Sequence, residues 1–305
     1  MNLNYFKSRG FILSILIIIA TVIIAYAINS PYFTLTILIA DIFIIMSIGW
    51  DFSSGTTNYI NFGISFFFGI GALFTGFFFY SFNLSIPFLM IQAFFLGFIS
   101  GFLITIATLR VRGVFFTLLS LLLPLIGTDF ILAFWTVLKM PTIGYYGLPS
   151  LSSSIQVSLI YISILLIIII ILIYSLYSTH VGLILRGIGD DEEAMLAQGI
   201  NTFWYKVLIF SISMGIVGIA GSIYALSTSF AGIDTFGLEF LLFPMVIAIF
   251  GGKGKILGAV PAGYVIIILS QYLQLYVGQF TLILFAAFAI ILFLIFPNGI
   301  SRWFK

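Results

Sequence analysis

Cysteine is absent from the 305 residues, and histidine occurs once, at His180. Without thiols there is no disulfide, no thiol nucleophile and no Cys-ligated metal. A lone imidazole assembles neither a His-based metal site nor a catalytic dyad within one chain. Charge is nearly as scarce: Asp, Glu, Lys and Arg make up 7% of the residues, against roughly 25% in an ordinary soluble domain. What fills the sequence is apolar, with 62% hydrophobic residues and a mean hydropathy of +1.30. That balance excludes a soluble fold. No metal, cofactor or nucleic-acid partner is expected.

A bilayer span takes about 20 apolar residues, so a chain of this length holds on the order of ten spans with short loops. Apolar runs bounded by polar, Gly or Pro clusters fall near 11–29, 33–50, 60–80, 85–108, 114–137, 157–178, 204–228, 238–252, 256–276 and 280–297. The expected fold class is therefore all-α: a polytopic integral membrane protein with about ten transmembrane helices, forming a single transmembrane domain over 1–305. The basic start and apolar run of a signal peptide are present, but 11–28 is long enough to span and "INSPYF" lacks a small-x-small cleavage site. It is expected to be retained as a span.

The distribution of basic residues sets the orientation. With the N-terminus inside, Lys7, Arg9, Arg110, Arg112, Arg186, Lys206, Lys253, Lys255, Arg302 and Lys305 fall on the cytoplasmic side. Only Lys139 falls outside. Both termini are thus expected in the cytoplasm of a multi-pass protein of the cell membrane, and 180–203 becomes its longest cytoplasmic loop. The outer loop "KMPTIGYYGLPSLSSS" is expected to pack over the external mouth. Small residues four apart, Gly97 with Gly101 and Gly218 with Ser222, suit close helix contact in a bilayer.

Three segments stand out. Within the loop 180–203, "RGIGDDEEAMLAQGIN" holds four of the nine acids in a row. Asp190 is expected to cap a helix of about two turns, with Asp191, Glu192 and Glu193 in the first turn, where the helix dipole favours negative charge. Ala194, Met195 and Leu196 continue it, and Gly199 stops it. Met195, Leu196 and Ile200 would face the membrane domain or a protein partner; a solvated turn with the acids serving only as caps is the alternative.

The second segment, 49–73, mixes Asp51, Thr57, Asn58 and Asn61 with Gly55 and Gly63 beside strongly apolar sequence. Polar, Gly-rich backbone near membrane depth is tolerated where it lines a cavity or is buried in protein, and broken helices of this kind form substrate sites. An ordinary cytoplasmic turn is the alternative. The third, "FGGKGKILGAVPAG" at 250–263, fails the phosphate-loop pattern because Ile249 stands at its first Gly and Ile256 at its hydroxyl position, and reads as a tight turn. Asp41 and Asp129 fall inside spans, where an ionisable residue is functional, paired or neutral. No constellation for covalent catalysis is present, so the chain is not expected to be an enzyme.

Taken in order, these segments resemble the permease subunits of branched-chain amino acid ABC importers, of the LivM type. The resemblance covers about residues 40–300. It runs through "GWDFSSGTTNYINFGISFFFGIGAL", "LRVRGVFFTLLSL", "GLPS", "GLILRGIGDDEEAMLAQGINTFWYKVLIFSISMGIVGIAGSIYA", "GGKGKILGAVPAG" and "FPNGI". It implies an ABC importer permease architecture in which Arg186 to Ile200 is the segment that docks into the ATP-binding subunit. The same resemblance makes 51–63 the pathway-lining element. Implied partners are two ATP-binding subunits, a second related permease subunit, an extracytoplasmic substrate-binding protein and the surrounding membrane lipid. Departures at Asn58, Ile64, Leu125 and Ile143 bear on substrate more than on family, the departure at Gly189 bears on a salt-bridge account of docking, and permeases for urea or short-chain amides are closely similar. The alternative of another class is an ATP-independent secondary transporter using Asp41 and Asp129.

Overall fold

The computed structural model describes residues 9–109, 114–135, 144–280, 284 and 287. In chain order the elements are α1 (Arg9–Ile28), α2 (Pro31–Trp50), a π turn (Asp51–Gly55), α3 (Ile64–Phe82), α4 (Ile86–Thr108), α5 (Val114–Trp135) and strand β1 (Tyr145–Tyr146). They continue with α6 (Ile155–Tyr177), α7 (His180–Asp190), α8 (Glu192–Ala197), α9 (Thr202–Thr228), β2 (Phe230–Ala231), α10 (Glu239–Gly252) and α11 (Ala259–Val277). Among the described residues, eight helices are long and apolar enough to cross a membrane. The chain is an all-α, multi-pass membrane protein.

Two expectations change. The span expected at 238–252 is α10, with 14 residues; at 1.5 Å per residue it is about 21 Å long, short of the ~30 Å hydrocarbon core. It does not cross alone. The third span starts at Ile64 rather than near residue 60, because the backbone before it is unwound. The expected span 280–297 lies outside the described residues apart from 284 and 287.

By its contacts the chain divides into two compact units, Met1–Thr56 with Ser152–Leu183 and Leu242–Lys305, and Thr57–Leu151 with Ile184–Leu241. In the first, α2 is the buried centre and packs against α1, α6 and α11. Ser30 caps it, accepting from the Phe33 amide, and Pro31 supplies the preset φ of a first helical turn. Asp41 is wholly buried midway along α2 and accepts from Ser163 Oγ and Tyr264 Oη, each at 2.6 Å. A buried carboxyl keeps its place only when hydrogen-bonded, and here α6 and α11 each supply a donor. Gly263 lets α11 close on Ile44, whose Cγ1 lies 2.2 Å from where a Cβ would stand.

In the second unit α9 is the centre, packed against α3 and α4. The small residues do what their spacing implies. A Cβ on Gly97 would stand 2.4 Å from Met214 O, one on Gly218 2.5 Å from Ala93 O, and one on Gly71 2.1 Å from Gly218 O. Backbones meet directly at these points, which is how helices associate where lipid offers no hydrophobic drive. Beyond the C-terminal end of α9, Tyr145 pairs with Ala231 and Tyr146 with Phe230 in a short antiparallel ribbon. Tyr80 stacks on Tyr145 and donates its hydroxyl to Tyr146 O, so the described part of the loop between α5 and α6 closes over one end of α3 and α9.

Candidate functional site

The segment 180–203 is built as two helices rather than one. α7 runs through Gly189 and still includes Asp190, so the cap falls one residue later than the sequence pattern places it. Asp191 is extended, with φ −156° and ψ 97°, and its carboxylate accepts from Ala194 N at 3.0 Å. An N-cap must be extended for its side chain to turn back on the first-turn amides, and Asp190 is helical. α8 is six residues, shorter than the expected two turns. Gly199, at φ +80°, ends it as expected, with Gly199 N bonded to Leu196 O and Ile200 N to Met195 O.

Side chains on α8 divide by direction. Met195 folds against α7, its sulfur 2.6 Å from where a Cβ on Gly187 would be. Arg186 and Ile200 are half-buried, whereas Asp191, Glu193, Ala194 and Leu196 are exposed. Glu192 turns inward. Its Oε1 accepts from Lys206 Nζ at 2.6 Å and Thr202 Oγ1 at 2.7 Å, and its Oε2 from Tyr59 Oη at 2.6 Å. The Lys206 ammonium also lies 4.0 Å from the Tyr59 ring centroid, and its side chain is 4% exposed. Burial alone raises the Glu192 pKa, but the hydrogen bonds from Lys206, Tyr59 and Thr202 and the nearby ammonium outweigh it. The carboxyl titrates below its ordinary 4.5.

Tyr59 belongs to the other singled-out segment. There the helix of α2 continues through the π turn, breaks at Asn58, which is left-handed at φ +60°, and does not resume until Ile64. The unwound backbone finds side-chain acceptors: Phe62 N donates to Ser120 Oγ at 2.9 Å and Gly63 N to Asn61 Oδ1 at 2.7 Å. Tyr59 N reaches Thr57 Oγ1 at 3.4 Å, and Asn61 Nδ2 faces Met214 Sδ at 3.7 Å. Asn58 donates from Nδ2 to Gly189 O at 2.6 Å. Thr57, Asn58, Asn61 and Gly63 thus share the unit that carries α8.

Asp51 and Gly55 belong to the other unit and have a different setting. Asp51 Oδ1 accepts from Gly254 N at 2.7 Å, and a Cβ on Gly55 would lie 1.9 Å from that oxygen. Gly55 leaves the space that the carboxylate fills. Within 250–263 the chain turns tightly between the end of α10 and the start of α11, with Gly252 at φ +108° and Gly254 at φ +73°. Asp129 is exposed on α5. A groove of about 510 Å³ between α3, α4 and α5 has Ser100 as its sole polar side chain and offers nothing to a charged ammonium or carboxylate.

The family model described as "Branched-chain amino acid transport system / permease component" matches residues 32–297. The chain belongs to this family of permeases. No curated protein and no solved structure matches it. In this permease the match spans both the unwound stretch and the two short helices. Three residues in the permease went unread as site residues from sequence: Tyr59, Thr202 and Lys206. The signal for Lys206 was present, since an ammonium in an apolar chain needs a carboxylate. Tyr59, in a chain of 15 tyrosines, had none.

Proposed function

We propose that this permease is the membrane component of an ATP-driven importer that carries branched-chain or other hydrophobic amino acids into the cell. Its partners in this reading are two ATP-binding subunits, a second related permease subunit and an extracytoplasmic substrate-binding protein. The observation that carries it is α8: a capped helix too short to be stable alone, braced from behind through Glu192 while Asp191, Glu193 and Leu196 stay exposed. A rigid projection with exposed acids and an apolar side chain is what a docking segment requires.

In this reading Arg186 to Ile200 meets the ATP-binding subunit, both termini are cytoplasmic, and the chain resides in the cell membrane. The substrate pathway is lined by Thr57, Asn58, Asn61 and Gly63, with Asp51 and Gly55 at the turn before them. ATP binding on the partners shifts the assembly between inward- and outward-open states only through a difference in affinity for the two. Such a chain has no need of a nucleotide site of its own.

The test is purification from the native membrane followed by reconstitution with the substrate-binding protein and labelled leucine. Co-recovery of a P-loop ATPase and leucine uptake that stops without ATP are expected. Recovery alone, with uptake persisting after ATP depletion, overturns the reading in favour of an ion-coupled carrier. Competition by urea or a short-chain amide, in place of valine and isoleucine, overturns the substrate alone.

A further inference from the structure

The chain continuity between α8 and α9 is a poor mechanical link. It runs through Gly199, at φ +80° with nothing within 4 Å of its would-be Cβ, and the exposed Gln198. The stiff links are side-chain ones: Glu192 holds Thr202 and Lys206 of α9, and two more bonds converge on residues 58 and 59. Asn58 holds Gly189 O at the end of α7 and Tyr59 holds Glu192 in the first turn of α8. Tyr59 in turn lies edge-on to Phe116, with ring centroids 5.6 Å apart, and Phe116 against Phe210 at 5.5 Å. The unwound stretch is therefore attached by one short polar bond to the end of α7 and by another to the docking helix α8, and to the packed helices by rings.

We propose that Glu192 is the positioning residue through which a displacement of α8 reaches the unwound stretch 58–63, with Tyr59 receiving it. Lys206 and Thr202 occupy the other carboxylate oxygen and fix the direction in which Oε2 points. Motion of α8 is then passed by the one carboxylate to Tyr59 through Oε2 as well as to α9 through Oε1. This inference rests on the importer reading and adds to it the route from docking helix to pathway.

Tyr59→Phe removes one hydroxyl and keeps the ring beside Lys206 and Phe116. In the reconstituted complex it leaves ATPase co-purification and ATP hydrolysis at parental levels while leucine uptake per ATP falls about fivefold or more, the low end of measured coupling strengths. Glu192→Ala combined with Tyr59→Phe is no worse than Glu192→Ala alone, because both remove the same Tyr59–Glu192 contact. Parental uptake per ATP in Tyr59→Phe, or effects that multiply in the pair, overturns the inference alone. A parental complex lacking an ATPase overturns the importer reading and this inference with it. A second measurement leaves the contact intact: the chain has no cysteine, so spin labels at Ile60→Cys and Gln198→Cys report cleanly. Their separation is expected unchanged between nucleotide-free and ATP-trapped complexes, and a change overturns the inference.

Discussion

Glu192 receives three hydrogen bonds, the one from Lys206 being also an ion pair, and two consequences follow at the scale of the residue. Its folded pKa lies below 4.5, so the network contributes fully above that pH and is lost as pH falls further, through the depressed value. Protease protection of 186–200 is expected to hold from about pH 7 to about pH 5 and to be lost as pH falls below the ordinary carboxyl value of 4.5, with a flat profile in Glu192→Gln. Removing the carboxylate also takes the ion pair from a nearly buried ammonium. Glu192→Ala should lose about 3 kcal/mol in denaturant titrations of the purified protein, and Lys206→Met added to it should recover part of that. Asp41 and Asp129 look alike in the sequence, each an acid inside an apolar run. The difference lies in partners 122 and 223 residues away from Asp41, Ser163 and Tyr264, which no local pattern could reveal.

At the scale of the element, most of what was legible is periodic. Helix positions, the turn at 250–263, the stop at Gly199 and the close crossing at Gly97, Gly101 and Gly218 all follow from composition over a few residues. The crossing makes a sharp expectation: Gly218→Val drives a side chain into Ala93 O and should destabilise the α4–α9 contact by about 1–3 kcal/mol, read as a lower Tm in detergent. What escaped is where one helix hands over to the next. Two acids side by side, Asp190 and Asp191, are equally good caps on paper, and the choice is made by how far α7 extends. Asp191→Ala should therefore cost about 1 kcal/mol of local stability at α8, and Asp190→Ala little, measurable by amide exchange at Ala194. The bounds of α10 were legible, but counting it as a span was not warranted, since 14 residues are too few to cross alone.

For the whole molecule, hydropathy alone established a multi-pass membrane protein, and the order of its motifs established the family. The candidate site was legible only in halves: 49–73 and 186–201 each drew notice, yet the bond that joins them links residues 133 positions apart. Orientation is open to direct test in a chain without cysteine. Gln198→Cys is expected to react with an impermeant maleimide only in inverted vesicles, and Ser150→Cys only in intact cells; both residues are exposed.

α9 has 27 residues, a rod about 40 Å long. Thr202 and Lys206 at one end belong to the Glu192 network, and Ser229, just past the other end, accepts from Gly147 N beside the tyrosine ribbon. Between them, at Met214, Gly218 and Gly221, the rod lies backbone to backbone against α4 and α3, with no soft layer of side chains to absorb a shift. Such a rod is a first-order lever whose fulcrum is the glycine crossing. A pull at Lys206 emerges at the ribbon with opposite sign, and a tilt of about 5° swings either end by roughly 2 Å relative to the crossing.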